Sequence, residues 1–431
     1  MRPGARIAAA IEILDTVLHR HQPIANVLAD WGKAHRFAGS GDRNAIGGIV
    51  YDALRRRASI AAAFGENTPR ALALGAASSA LGLTPEAVIA ACDGADHAPE
   101  ALSETEQKGL TQEIYDVPGH AQGDVPEWLW PSFVALFGGR AVAEGQAMAQ
   151  RAPADLRVNT LKATREKVFK ALADFGAEEM VYAPHGLRVP PPVGATRTPN
   201  LQAEAAFQAG WFEVQDQGSQ IAAALTGASA RMQVMDLCAG AGGKTLALAA
   251  AMQNTGQIYA YDDDRNQLKP IFDRLKRAGA RNVQVLRAGD EAALTALGPK
   301  FDVVLADAPC TGSGTWRRRP DAKWRLRPEA LNQRQGEQKA VLARAASLVK
   351  PGGRLVYVTC SILPEENGGQ IAGFLKSHGD FSVVPYGEAW RTAELPGDPP
   401  ASADGGHDTL LLTPGSHGTD GFFIAVLKRA G

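Results

Sequence analysis

Two cysteines in this chain follow apolar runs that end abruptly in polar residues. Cys310 closes Phe301-Asp302-Val303-Val304-Leu305-Ala306-Asp307-Ala308-Pro309-Cys310, and Cys360 closes Val356-Tyr357-Val358-Thr359-Cys360. A thiolate is a nucleophile, and a carboxylate such as Asp307 beside it can hold a substrate edge or move a proton. Each apolar run, bounded by turn residues, reads as a buried strand of a parallel sheet. Ligands of such sheets sit beyond the carboxyl ends of the strands, so Asp307, Cys310 and Cys360 are expected to face one cleft. Neither cysteine has a histidine next to it in the sequence, so a protease-like pair is not indicated. For the first stretch taken alone, an ordinary turn with Cys310 as a small core residue is the competing reading.

A second constellation precedes it. Asp236-Leu237-Cys238-Ala239-Gly240-Ala241-Gly242-Gly243-Lys244-Thr245 joins an apolar run to a helical one. Glycines there let a ligand approach the backbone, and a helix start offers unpaired N–H groups. A P-loop needs a glycine where Cys238 stands, and the dinucleotide fingerprint from Gly240 needs Gly or Ala where Thr245 stands, so both fail. What remains is a looser glycine turn followed by acids. Asp262 lies 20 residues beyond Gly242, where a carboxylate accepts from ribose hydroxyls. Asp290 and Asp307 follow the next two strands. Together these describe an adenosine pocket that carries no phosphate and tolerates a cation, which is what S-adenosylmethionine offers. A thiol nucleophile combined with a methyl donor points to an aromatic ring too electron-poor to take a methyl unaided, and cytosine is such a ring.

At this point the C-terminal half resembles the RNA cytosine-C5 methyltransferases of the Sun/Fmu type. The glycine turn from Asp236 to Thr245, Asp307-Ala308-Pro309-Cys310, Thr359-Cys360-Ser361 and Asp420-Gly421-Phe422-Phe423 resemble the family's motifs in its order. Arg157-Val158-Asn159 and Val214-Gln215-Asp216 resemble its upstream substrate-side elements. The likeness spans residues 126 to 431. One departure is Gly240-Ala241-Gly242-Gly243-Lys244, where the family usually has Ala-Pro-Gly-Gly-Lys; the lost proline leaves a freer loop. The resemblance implies that Cys360 adds to carbon 6 of a cytosine and that Asp307 holds the N3/N4 edge and supplies a proton. It also implies that Cys310 assists elimination, although DNA cytosine methyltransferases place their nucleophile in the Pro-Cys motif. Cys238, Ala239, Gly240, Ala241, Gly242, Gly243, Lys244, Asp262, Asp290 and Asp307 are then the cofactor residues, with no metal. The N-terminal helices resemble the NusB-like RNA-binding domain of the bacterial 16S rRNA member. The substrate so implied is 16S rRNA. The same chemistry on tRNA or another rRNA site, a non-catalytic RNA-binding assembly factor, and a dehydrogenase are the alternatives, the last weakened by the failed fingerprint.

A reacting base must leave its stack, and the stretch after Cys310 has the composition to hold it. Trp316-Arg317-Arg318-Arg319-Pro320-Asp321-Ala322-Lys323-Trp324-Arg325-Leu326-Arg327 mixes six cations with two indoles, as a phosphate-gripping, base-stacking loop would. Arg317, Arg318, Arg319, Lys323, Trp324 and Arg325, with Arg157 and Asn159 from the substrate-side motif, are the RNA-contact candidates. A solvated loop with half-buried tryptophans is the competing reading.

These residues need a scaffold, and the chain supplies three patterns. Residues 1–125 carry helical periodicity, for example Ile46, Ile49, Val50, Ala53 and Leu54, with Arg55-Arg56-Arg57 closing a helix in cations, which reads as a solvated helix end with contact to phosphates as the alternative. Residues 126–214 read as helices and then a small α+β (RRM-like) module, with strands near Asp155–Asn159, Gly186–Val189 and Gly210–Asp216. From 215 to 431 strands alternate with helices, which implies an α/β fold with a doubly wound Rossmann-like sheet. Its last two strands, Thr409–Leu412 and Phe422–Leu427, are expected as an antiparallel hairpin at the sheet edge, and Asp398–Gly406 as the most mobile loop. At 431 residues, with 45% hydrophobic and 21% charged residues, the composition is that of a globular chain of several domains. Net charge is −1, so any hold on nucleic acid must be a local basic patch. Four scattered cysteines suggest reduced thiols rather than a disulfide or zinc framework. With no membrane span or h-region, a cytoplasmic monomer is expected.

Overall fold

The computed structural model describes all of the chain except residues 21, 195, 197 and 198. It forms two compact units: residues 1–152 with 191–198 and 315–326, and residues 153–190 with 199–314 and 327–431.

The first unit is helical. Its longer helices are Pro3–Arg20, Ile24–Ala34, Ser40–Arg55 and Pro69–Leu81. Their apolar faces close on a core of Ile7, Leu14, Ile46, Ile49, Val50, Leu54, Leu72 and Leu74, all essentially inaccessible. Caps written in the sequence set several boundaries. Thr68 and Thr84 each accept from the backbone N–H three residues on, with proline at the first helical position, an arrangement in which proline's missing N–H costs nothing. By contact the helices Trp130–Phe137 and Ala141–Met148 also fall in this unit. So does the basic segment 315–326. Trp316 stacks on Phe133 with ring centroids 6.0 Å apart and planes within 5°, so apolar contact decided its place.

The second unit holds two sheets. In the small one the strands β1 (Ala154–Val158), β2 (Glu178–Glu179), β3 (Gly186–Val189) and β4 (Phe212–Val214) lie in the order β2-β3-β1-β4, all antiparallel. The large sheet contains β5 (Gln233–Asp236), β6 (Gln257–Ala260), β7 (Val283–Val285), β8 (Phe301–Asp307), β9 (Val349–Thr359), β10 (Phe381–Val384), β11 (Leu410–Leu412) and β12 (Phe422–Arg429). Its order is β10-β12-β9-β8-β5-β6-β7, with β11 also paired to β12. β9-β8-β5-β6-β7 is parallel and β12 is antiparallel to β9, the doubly wound, mixed arrangement expected of an α/β sheet. Val303, Leu305, Val356 and Val358 are buried between the helical layers, which is why these strands read as unbroken apolar runs.

Two expectations need correction. β11 and β12 do pair antiparallel, but β12 is interior, with β9 along one side and β11 and β10 in succession along the other; β10 is a four-residue strand with weak alternation, which the sequence does not announce. The segment Asp398–Gly406 is pinned rather than mobile. Ala403 N–H donates to Leu411 O, Leu411 N–H donates to Ser402 Oγ at 2.8 Å, and Ala403 is buried. No helix among the described residues is long and apolar enough to cross a membrane.

Candidate active site

The parallel register carries β8 and β9 to a common level, Asp307 opposite Val358, and the turns beyond them bring the two thiols together. Cys310 Sγ lies 3.3 Å from Cys360 Sγ. Backbone pairing fixes this approach: Ala308 N–H donates to Val358 O and Gly314 N–H to Cys360 O, both at 2.9 Å. Gly314 must be glycine here, since a Cβ would stand 2.2 Å from Gly421 O. That contact brings the Asp420-Gly421-Phe422 motif to the same place.

Glu366 holds the thiol loops in register. It is wholly buried, and its carboxylate accepts from Thr311 N–H (2.8 Å), Thr311 Oγ1 (2.5 Å), Gln338 Nε2 (2.9 Å) and Ser361 Oγ. One anion thus ties the residue after Cys310 to the residue after Cys360. A buried carboxylate is tolerable only when it is so fully bonded. Asn367 tightens the second loop, accepting from Thr359 Oγ1 at 2.6 Å and donating to Ser361 O at 2.9 Å. In Pro364-Glu365-Glu366-Asn367 nothing local says which glutamate turns inward.

The thiols are not equivalent. The sulfur of Cys360, and then burial, push the Cys310 thiol well above its ordinary range, so Cys310 keeps its proton and can donate it to Cys360. Cys238 is raised as well, by burial, and is no third nucleophile.

At the cofactor turn Gly240 and Gly242 take left-handed backbone, φ +51° and +83°. A Cβ on Gly242 would lie 2.5 Å from Ile271 Cγ1, whereas one on Gly240 would meet nothing within 4 Å. Gly242 therefore serves packing and Gly240 leaves open space for a ligand. Asp262 Oδ2 accepts from Gly240 N–H at 2.9 Å, holding the turn while its carboxylate stays partly accessible. Lys244 Nζ pairs with Asp307 Oδ2 at 2.6 Å and sits 5.3 Å from the Phe422 ring centre. Beneath the turn Asp236 accepts from Thr245 Oγ1 at 2.7 Å, and burial pushes its carboxyl up to about 7. Asp290 caps the helix Glu291–Ala296, accepting from Ala293 N–H at 3.0 Å. An open glycine cradle beside an acidic, phosphate-free lining fits S-adenosylmethionine.

The RNA-contact candidates divide. Arg157 is buried and donates to Gln215 Oε1 at 2.6 Å, with burial pulling its guanidinium down to about 10. Asn159 is also buried: Nδ2 donates to Gly210 O and Ala278 O, and Oδ1 accepts from Leu161 N–H. Both clamp the small sheet and are not surface contacts. Lys323, buried, donates to Arg55 O (2.9 Å) and Asp124 O (2.6 Å), and Trp324 Nε1 donates to Leu54 O at 2.6 Å. These two are packing residues of the helical unit, because their donors meet helix-end carbonyls. Arg55, expected at a solvated helix end, is mostly buried against Asp52. Arg319 and Arg325 remain exposed, Arg325 paired with Asp321. Arg317 is buried and Arg318 half-buried.

Sheet order, glycine cradle and acid-lined carboxyl edge define the class: a Rossmann-like methyltransferase. Residues 223–428 match the family described as 16S rRNA methyltransferase RsmB/F, and residues 125–196 match its ferredoxin-like domain. A Synechocystis protein named "Probable ribosomal RNA small subunit methyltransferase B" is 36% identical over 318 residues, covering 72% of this chain and 68% of that one. The crystal structure of PH0851 is similar over 100% of this chain and 99% of its own, with TM-score 0.74 and 28% identity. A methyltransferase homologue from Pyrococcus horikoshii covers 72% and 97%, with TM-score 0.59 and 30% identity. The chain belongs to the 16S rRNA methyltransferase RsmB/F family, and as a member it is an S-adenosylmethionine-dependent rRNA methyltransferase.

Proposed function

We propose that the chain methylates carbon 5 of a cytosine in 16S rRNA through a covalent adduct between Cys360 and carbon 6. The observation that carries this reading is the thiol pair, 3.3 Å apart, beside the Asp307–Lys244 ion pair. S-adenosylmethionine, when bound, supplies an electrophilic methyl group. Cys360 Sγ, with its proton gone, forms a bond to carbon 6, and the ring electron pair shifts toward carbon 5 and N3. Asp307 holds the N3/N4 edge and passes a proton to N3, and Lys244 is the proton-bearing neighbour on which it draws. After carbon 5 is methylated, Cys310, having released its own proton to solvent, takes the carbon 5 proton; the carbon 5–carbon 6 double bond re-forms as the carbon 6–sulfur bond breaks, Cys360 leaves as thiolate, and N3 returns its proton to Asp307. The change in Cys310 follows from its surroundings. Its leading perturbation is the neighbouring sulfur, and once that sulfur is a neutral thioether, Cys310 ionises more readily, in time to act as base.

The test uses purified protein, labelled methyl donor and 16S rRNA. Cys360→Ala should abolish transfer and form no adduct. Cys310→Ala should accumulate a covalent protein–RNA complex that survives denaturing electrophoresis. An adduct with Cys360→Ala and none with Cys310→Ala would make Cys310 the attacking thiol. Bisulfite mapping of the product locates the methylated cytosine.

A further inference from the structure

The cofactor turn is held partly from within and partly by a side chain from outside it. Gly240 N–H donates to Asp262 Oδ2 at 2.9 Å, and Gly242 N–H donates to Ala239 O at 2.8 Å. Between them, Arg274 Nη1 donates to Ala241 O at 2.9 Å. The carbonyl of Ala241 and the N–H of Gly242 belong to one planar peptide unit. Arg274 therefore grips one side of that plane while Ala239 O holds the other. The backbone supplies little stiffness of its own here. Gly240 and Gly242 flank Ala241 and both take positive φ, where glycine moves freely, and Ala241 has no ring to fix its φ. Counter-rotation about ψ of Ala241 and φ of Gly242 would turn this peptide over, and its hydrogen bonds are what resist.

Arg274 is aimed by its surroundings. It lies on the helix Ile271–Ala278, one turn after Ile271 and on the same face. Ile271 fills the space that Gly242 leaves by lacking a side chain, so one helix face meets the turn at two places. The other arm of the guanidinium, Nη2, donates to Glu213 Oε2 at 2.9 Å. Glu213 stands on β4 of the small sheet, is buried, and accepts from Arg277 Nη2 at 2.5 Å through its second oxygen. A buried carboxylate bonded in this way is fixed in place. A planar fork anchored at one arm has its other arm directed, so the bond to Ala241 needs little further ordering of the side chain.

We infer that Arg274 is a positioning residue for S-adenosylmethionine: through Ala241 O it fixes the central peptide of the cofactor turn, and Glu213 fixes Arg274. Arg274 acts on the fraction of turns ready to receive the donor, and apparent affinity falls in proportion to that fraction. The inference rests on the donor alone, not on which base is methylated.

The experiment titrates the full chain with S-adenosylmethionine in a calorimeter, without RNA, and records thermal melting of each variant. Arg274→Gln removes the fork. Arg274→Lys keeps a cation beside Glu213 but has one head group for two partners, and it carries the test if Arg274→Gln does not fold. Arg277→Gln is the control. Arg277 shares Glu213 and holds its guanidinium carbon 4.1 Å from the Phe207 ring centre, so its loss weakens the same ion cluster and leaves the bond to Ala241. The Arg274 variants should bind the donor about tenfold more weakly, the size of one lost hydrogen bond to a charged group. In methylation of 16S rRNA the KM for the donor should rise while the KM for RNA stays unchanged. Arg277→Gln should melt at lower temperature yet bind the donor within about twofold of wild type. Wild-type donor affinity in a folded Arg274 variant would overturn the inference. So would an equal loss of affinity in Arg277→Gln, which would make the Glu213 cluster a support of the fold that does not act through Ala241 O.

Discussion

At the scale of single residues, the site depends on which ionisable groups are in contact. Cys310 is the raised thiol because another sulfur lies 3.3 Å away, and no spacing in the sequence expresses that. Asp236 is a second case. Its folded value of about 7 lies above the ordinary 3.8, so between these pH values the native chain holds a proton that the unfolded chain has released. Stability from this group is full below pH 4 and is lost as pH rises toward 7. At about 1.4 kcal/mol per unit, the whole effect is on the order of 4 kcal/mol. Asp236→Asn should flatten the corresponding part of a stability–pH profile from urea unfolding, and an unchanged profile would count against a buried, protonated Asp236.

Elements act through the loops they hold. Glu366 joins the turn after β8 to the turn after β9, and Glu366→Gln would set an amide N–H against groups that already donate. A loss of about 1–3 kcal/mol is expected, with slower adduct formation in the Cys310→Ala background. Equal adduct rates would reduce Glu366 to a stability residue. At the cofactor turn, Gly242→Ala forces a Cβ to within 2.5 Å of Ile271 Cγ1 at φ +83°. Strain of about 1–3 kcal/mol should lower both the melting temperature and the affinity for S-adenosylmethionine in calorimetry. A variant that binds the donor with unchanged affinity would show that the turn does not shape the site. Gly240→Ala, facing open space, separates the effects: steric loss of cofactor affinity without the Ile271 clash.

For the whole molecule, a net charge of −1 means that no overall field draws RNA to the protein, so its grip must be local and saturable. The salt slope for 16S rRNA should therefore correspond to few phosphates, on the order of the number of arginines in one patch. A slope implying ten or more contacts would contradict a grip confined to one patch. The chain is expected to be a monomer, and light scattering at micromolar concentration should return its 45.5 kDa mass.

The sequence by itself determined the local and periodic features. The apolar runs of β8 and β9, the capping threonines, the glycine turn and the order of the motifs all follow from short-range sterics and burial, which are written residue by residue. It therefore also determined the class of sheet and the residues at the ends of its strands. Tertiary structure alone decided which chemistry-capable side chains are accessible. Lys323 and Trp324 have the composition of an RNA-binding loop, yet they fill the helical unit, because helix-end carbonyls and the ring of Phe133 offered the segment partners from distant parts of the chain. Arg157 and Asn159 are withdrawn in the same way. Glu366 moved in the opposite direction, from an unremarked acid to the anion that holds two thiols together. Burial and charge pairing depend on neighbours far apart in sequence, and only the folded chain brings those neighbours together.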